Sequence, residues 1–388
     1  MIKEILEGLC GFGNRLTATE NEQRAGDYLK SKLDGLGYQA EAEGFKSPRT
    51  FSWTYLAIYL GFAGSILLSL FFPLPGLAVF VTALILFFGE QTTLFGILTT
   101  NIFATGKSRN IIGRGKSDPK AKPGRVWLVA HYDTSKTSLA FSPGSVPLLK
   151  PLFAFSLILL LATLVILLLR TFSLALDSLL LKIILGFSTV YFSYLAAMML
   201  EREARGKPVQ GAADNASGVA VAMELAERFH EHPLAASELR VLLTGAEEVG
   251  MVGMSAFLKA HQIELDRKRD YFINFDSIGE GGLCYITKEG MLMPLSGSEI
   301  LLKLADQLSR EDKFSQVKGK PFTALTLDTL AARSRGFPVI SFMALTEKLF
   351  PKPWHWFDDT IERVDLKQLD LCADFAEELI RRFDREKV

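Results

Sequence analysis

Long uncharged apolar runs constrain this chain more than any other feature, because only a bilayer or a very large core can receive them. Residues 55–72 (YLAIYLGFAGSILLSLFF) carry no charge, and at about 1.5 Å per helical residue they reach across most of a hydrocarbon core of roughly 30 Å. After Pro73-Leu74-Pro75-Gly76 a second run starts at Leu77, passes Phe88, is interrupted by Glu90 and Gln91 and continues towards Phe103. Residues 152–169 (LFAFSLILLLATLVILLL) form a third uncharged run, and residues 179–200 a fourth, whose Lys182 is close enough to its start to reach the interface. The pattern predicts two transmembrane helical hairpins, 52–103 and 151–200, inserted into a discontinuous polar domain made of 1–50, 104–150 and 201–388. The opening MIKEILEGLCGFGNRL is polar and amphipathic, so no cleavable leader is expected.

Four crossings place all polar segments on one side of the membrane. Lys46, Arg49, Lys107, Arg109, Arg114, Lys116, Lys150, Arg202, Arg205 and Lys207 flank the spans there, against Arg170 alone in the opposite links. The expectation is an integral membrane protein with a cytoplasmic catalytic domain. The 43 basic residues equal the 43 acidic ones, which leaves no electrostatic attraction for nucleic acid. Cys10, Cys284 and Cys372 are odd in number and lack C-x-x-C spacing, so neither a disulfide framework nor a thiolate metal site is expected and a reducing compartment fits.

The polar remainder alternates helix and strand signals. Residues 21–36 have helical spacing and end at Gly37, and 38–45 alternate like a strand. The short apolar runs 125–130, 239–244, 271–275 and 339–343 read as strands covered on both faces, with helices over 216–229 and 366–383. The predicted class is α/β: a mixed, mostly parallel sheet flanked by helices. In such sheets ligands bind beyond the carboxyl ends of the strands. There the chain carries His131 with Asp133, Glu247-Glu248 and Asp276.

With Asp214 and His355, these residues form a set suited to zinc, which accepts imidazole and carboxylate where no thiolate is offered. His131, Asp214, Glu248, Asp276 and His355 suit two ions with one ligand shared, and Asp214, having two carboxylate oxygens, can bridge them. Asp133, two residues beyond His131, can orient its imidazole. His230, His232 and His261 lie in polar sequence and are expected on a solvated surface.

His131-Tyr132-Asp133, the block 211–219 (GAADNASGV), 245–250 (GAEEVG), Asn274-Phe275-Asp276, and His355 with Asp359-Thr360 occur in that order. In these blocks the chain resembles the di-zinc aminopeptidases of metallopeptidase family twenty-eight, with the four spans as insertions. The resemblance implies a zinc-aminopeptidase-like fold and two Zn2+ ions. His131 and Asp276 would hold one ion, Glu248 and His355 the other, and Asp214 both. It further implies Glu247 as the general base, a cis peptide between Asp214 and Asn215, and hydrolysis of amino-terminal residues from peptides. Family twenty has a similar ligand order, but the interval from Asp276 to His355 is too short for its separate lid domain. The alternatives are another hydrolase or a glutaminyl-cyclase-like enzyme on the same fold, or a non-catalytic membrane scaffold or transporter-like protein with a relict peptidase domain. The second hairpin separates His131 from Asp214, so the expected partners are the bilayer and a peptide substrate, hydrophobic or membrane-tethered. Nothing in the sequence sets the oligomeric state.

Overall fold

Strands that read as continuous apolar runs are buried on both faces. In the strand Gly124–His131, Val126, Leu128 and Ala130 enter one core cluster while Trp127 and Val129 enter another, the two-residue alternation of a pleated chain. The computed structural model describes residues 1–92, 102–115, 124–172 and 178–387. Its strands are β1 (Gln39–Ser47), β2 (Gly106–Arg114), β3 (Gly124–His131), β4 (Ser237–Thr244), β5 (Asp270–Phe275), β6 (Gly282–Glu289), β7 (Leu295–Ser296), β8 (Lys318–Phe322) and β9 (Val339–Leu345). Its long helices begin with α1 (Ile2–Cys10), α2 (Glu20–Gly35), α3 (Ser52–Ser69), α4 (Pro73–Thr92), α5 (Leu149–Thr171) and α6 (Leu179–Arg205). They continue with α7 (Ser217–Glu231), α8 (Val252–Ala260), α9 (Glu299–Leu308), α10 (Asp328–Ser334) and α11 (Leu366–Arg385).

The described residues divide into two units: Met1–Arg49, Ala104–Thr137 and Lys207–Val388 form one, and Thr50–Phe103 with Ser138–Gly206 the other. Residues 138–150 and 201–206, assigned by sequence to the polar domain, thus fall in the apolar unit. In the first unit the sheet order is β1-β2-β4-β3-β5-β9-β6-β7, with β8 on β6. The sheet is mixed: β4, β3, β5 and β9 run parallel at its centre, and antiparallel pairs flank them. Helices α1, α7, α9 and α11 cover one face through the larger core, and α8 and α10 supply Phe257, Met254, Ala331 and Ala332 to the other. Burying a side chain such as Phe275 contributes roughly 1.5–3 kcal/mol.

The apolar unit contains α3 to α6, four helices long and apolar enough to cross a membrane. Phe62, Phe80 and Phe192 pack at its centre with ring centroids 5.2 and 5.1 Å from Phe62. Leu74, Ile85, Ile158, Leu161 and Val190 are exposed, an outward apolar surface that water would penalise. Several of its polar side chains pair internally: Thr163 donates to Ser188 at 2.9 Å, and Arg202, stacked over Phe51, donates to Thr50 and Ser52. The continuation of the second run across 93–101, the basic flank at Lys116 and the link 173–177 lie outside the described residues.

Both excursions from the first unit leave and return through paired backbone. Ser47 faces Gly106 in the β1–β2 register. Thr137 N–H donates to Lys207 O at 2.9 Å, and Lys207 N–H to Thr137 Oγ1 at 3.0 Å.

Candidate metal centre

The parallel strands carry their acidic and imidazole residues to one end. His131 is the last residue of β3 and pairs in register with Thr244, the last of β4, after which the chain turns through Gly245 and Ala246 into Glu247-Glu248. Asp276 follows β5 directly. Asp214 lies in the turn before α7, and His355 in the loop after β9.

Asp133, fully buried, joins the ends of β3 and β4. Its Oδ1 accepts from Glu247 N–H at 3.0 Å and stands 3.5 Å from His131 Nδ1, while Oδ2 accepts from Thr17 Oγ1 at 2.7 Å and Glu248 N–H at 3.3 Å. At 3.5 Å Asp133 Oδ1 and His131 Nδ1 form no hydrogen bond, but the carboxylate charge favours the tautomer protonated on Nδ1, which leaves Nε2 free to coordinate.

The block around Asp214 is tied to β5. Asn215 Nδ2 donates to Phe275 O at 2.9 Å, and its Oδ1 accepts from Gly218 N–H at 2.9 Å and Ser277 N–H at 3.2 Å. Ser217 Oγ donates to Ala213 O and accepts from Ile278 N–H. Gly218 packs so closely that a Cβ there would stand 2.3 Å from Phe275 O. Asp359 accepts from Ala213 N–H at 2.7 Å and Asp214 N–H at 3.2 Å, which gives the Asp359-Thr360 block a role the sequence did not reveal. The peptide between Asp214 and Asn215 is cis, in line with the resemblance. Ala246, Ser277 and His355 have φ values of +56°, +51° and +46°, unusual for non-glycine residues and typical of functional loops.

All five candidate ligands are buried and converge. His131 Nε2 lies 3.2 Å from Asp214 Oδ1 and 3.8 Å from Asp276 Oδ2. His355 Nε2 lies 3.2 Å from Asp214 Oδ2 and 2.9 Å from Glu248 Oε2. Two groups of three result, His131-Asp214-Asp276 and Asp214-Glu248-His355, each with its ligand atoms within 4.8 Å of one another. Glu247 is partly exposed beside them.

The electrostatics are those of a buried, acid-rich cluster. Burial disfavours the His355 cation, but Glu248 and Asp214 outweigh it and lift its pKa to about 10. His131 is likewise raised well above the usual value: burial opposes this, and Asp133, Asp214 and Asp276 prevail. Asp214, despite burial, is held below the usual carboxylate range by the two imidazoles. Burial raises Glu247 well above its usual value, with Asp328, Asp276 and Glu248 adding to the effect and His131 opposing it. Glu248 Oε1 is buried without a hydrogen-bond partner among the described residues, an acceptor that a metal ion would satisfy. Hard and borderline donors only, two imidazoles and a surplus of acceptors therefore fit zinc.

Sequence reasoning missed several residues around this centre. Arg15, Thr17, Glu22 and Asp328 are buried there. Thr244 Oγ1 donates to Asp328, and burial pushes the Asp328 carboxyl up to about 7. Glu22, raised to about 8 by burial and by Asp133, accepts from Ala18 N–H and Ser108 Oγ. Thr19-x-x-Glu22, a helix-capping spacing, was the available signal for Glu22. His261 is also corrected: instead of facing solvent, its Nε2 is held by Glu43 at 2.9 Å, whereas His230 and His232 are exposed.

Comparison with known proteins points the same way. BSAP, a zinc aminopeptidase from Bacillus subtilis, has a TM-score of 0.58 at 14% identity, covering 98% of this chain and 94% of that one. A glutaminyl cyclase from Porphyromonas gingivalis has 0.56 at 14%, covering 98% and 97%. A Zn-dependent exopeptidase from Parabacteroides distasonis has 0.55 at 15%, covering 98% and 96%. These likenesses establish the fold. No curated protein sequence matches significantly. Residues 191–380, which contain Asp214, Glu247, Glu248, Asp276 and His355 but not His131, match the model of Peptidase family M28.

Proposed function

We propose that the protein is a membrane-embedded di-zinc aminopeptidase that removes amino-terminal residues from peptides. The observation carrying this reading is the division of the Asp214 carboxylate, whose two oxygens each face a different imidazole in a separate three-residue group. In this reading His131, Asp214 and Asp276 would hold one ion, and Asp214, Glu248 and His355 the other. Zinc supplies Lewis acidity at the scissile carbonyl and a water acidified towards neutral pH. Glu247 takes the proton of the attacking water on its carboxylate as the water oxygen adds to the carbonyl carbon. It then hands the proton to the leaving nitrogen as the C–N bond breaks. In the metal-free protein, burial together with Asp328, Asp276 and Glu248 raises its proton affinity. Asp133, 3.5 Å from Nδ1, favours by its charge the tautomer of His131 that coordinates through Nε2.

In the same reading α3 to α6 lie in the bilayer, and the polar unit is cytoplasmic, as the Lys and Arg residues flanking the runs favour. The chain departs for the apolar unit at Ser138 and returns at Gly206, between two ligands of one ion, which supports a hydrophobic or bilayer-tethered peptide as substrate.

The test is purified full-length protein assayed with aminoacyl-nitroanilides and an amino-terminal peptide library, with metal analysis on the same sample. Glu247→Gln abolishes turnover and keeps the zinc; normal turnover in that variant removes the mechanism. The similarity to the Porphyromonas gingivalis glutaminyl cyclase favours a second reading. Peptides with amino-terminal glutamine separate the two: hydrolysis releases the residue, whereas cyclisation releases ammonia and leaves the peptide bond intact.

A further inference from the structure

Arg15 is fully buried, and its guanidinium is spent on main-chain carbonyls. Nε donates to Tyr132 O at 2.7 Å, Nη1 to Gln210 O at 2.9 Å and Leu9 O at 3.2 Å, and Nη2 to Gly211 O at 2.8 Å. Tyr132 is the residue after His131, and Gly211 lies three residues before Asp214. The Arg15 main chain joins the same strand end: its N–H donates to Thr134 Oγ1 at 3.0 Å, and its carbonyl accepts from Thr134 N–H at 3.1 Å. Gly211, at φ +66°, admits this approach, since a Cβ there would meet Thr134 Cγ2 at 2.3 Å and Arg15 Nη2 at 3.1 Å.

We propose that Arg15 is a positioning residue of the metal centre, clamping the backbone after His131 to the backbone before Asp214. It thereby fixes these two ligands across the 138–206 insertion.

The other ties around the site show what is left for Arg15 to do. Asp214 is pinned to the Asp276 strand by Asn215 and Ser217, and by Asp359 through its own N–H. Asp133 links His131 to the Glu247-Glu248 turn. Neither set joins the His131 segment to the Asp214 turn. Main-chain bonds do join the two segments farther out, Val209 N–H to Ser135 O at 3.2 Å and Thr137 N–H to Lys207 O at 2.9 Å, but they stop five residues short of Asp214, whereas Arg15 bonds Tyr132 and Gly211 close to the ligands. A planar fork with five donors can hold carbonyls from three segments at once, whereas an ammonium on a flexible stem presents a point charge with no such plane. The charge also stands within electrostatic reach of Asp133, Asp214 and Asp359. Loss of the clamp therefore leaves Asp214, Glu248 and His355 with their other ties and weakens the hold of the His131 segment on the Asp214 turn, while His131 keeps its pairing with Thr244.

The inference rests on the two-ion reading above, and the experiment separates the two. Metal-stripped full-length wild type, Arg15→Lys and Thr134→Val are titrated with Co2+, followed by d–d absorption, with thermal unfolding of each protein and kcat and KM after loading. Wild type is expected to show two tight steps. Arg15→Lys keeps one step and weakens the other by about 10- to 100-fold, as changes behind a ligand do; kcat falls more than KM rises. Thr134→Val, which removes only the acceptor for Arg15 N–H, shifts the same step by less and serves if Arg15→Lys does not unfold cooperatively. Two unchanged steps in a folded Arg15→Lys protein, or equal weakening of both, overturn the proposal. A wild type with a single step overturns the two-ion reading and the clamp with it.

Discussion

Replacing Asp133 by Asn removes a charge and exchanges one acceptor for a donor at the junction of β3 and β4. If the new amide nitrogen takes the place of Oδ1, it faces Glu247 N–H, now without an acceptor, and turns a donor towards His131 Nδ1. That arrangement favours the imidazole tautomer with its proton on Nε2, the atom needed for coordination. If it takes the place of Oδ2, Thr17 can rotate to accept, but Glu248 N–H is left without a partner. Either orientation leaves one buried backbone donor unsatisfied, a cost of about 1–3 kcal/mol. That cost falls on the stability of the fold, stripped or loaded; zinc binding weakens through the disfavoured tautomer, by the roughly 10- to 100-fold typical of groups supporting a metal ligand. Chelator competition on full-length Asp133→Asn reads the affinity, and thermal unfolding of the stripped protein reads the fold. Zinc affinity within twofold of wild type would refute the role given to Asp133.

Two further outcomes follow from the same geometry. In the metal-stripped protein Asp328 and Asp359 titrate near 7, above their ordinary 3.8, and His355 near 10, above its ordinary 6.5. The folded chain thus holds protons that the unfolded chain releases, so its unfolding temperature falls as pH rises from 5 to 9, and added Zn2+ reverses the fall at pH 8; a stripped protein more stable at pH 9 than at pH 5 contradicts the assignment. Gly218→Ala places a methyl 2.3 Å from both Asn215 Oδ1 and Phe275 O, costs about 1–3 kcal/mol or more as overpacking, and lowers both unfolding temperature and zinc content; unchanged values show that the turn can relax.

The central strands were legible because burial on both faces turns a strand into an unbroken apolar run that ends at a polar ligand. Those signals located β3, β4, β5 and β9 to within a few residues. β2, whose sequence GKSRNIIGR mixes charge and glycine, and the short edge strands β7 and β8 carry no such run and were not read. The candidate ligands stood out because metal chemistry needs particular side chains, which have letters in a sequence. Arg15 stayed hidden for the opposite reason: its partners are carbonyls of Leu9, Tyr132, Gln210 and Gly211, and a backbone carbonyl has no letter. His261 was misjudged because its partner Glu43 lies on β1, far away in sequence.

The order of strands in the sheet differs from the order in which a ribosome delivers them. β3 lies between β4 and β5, and β2 also borders β4, yet everything from β4 onward is synthesised after the last apolar helix. Before that point the nascent chain can close only the β1–β2 pair. The centre of the sheet, and with it the His131-Asp214 pair, therefore assembles after α3 to α6 have all left the ribosome. Nascent chains stalled within α6 would have no metal site, whatever the zinc supply, so enzymatic competence comes late in biosynthesis.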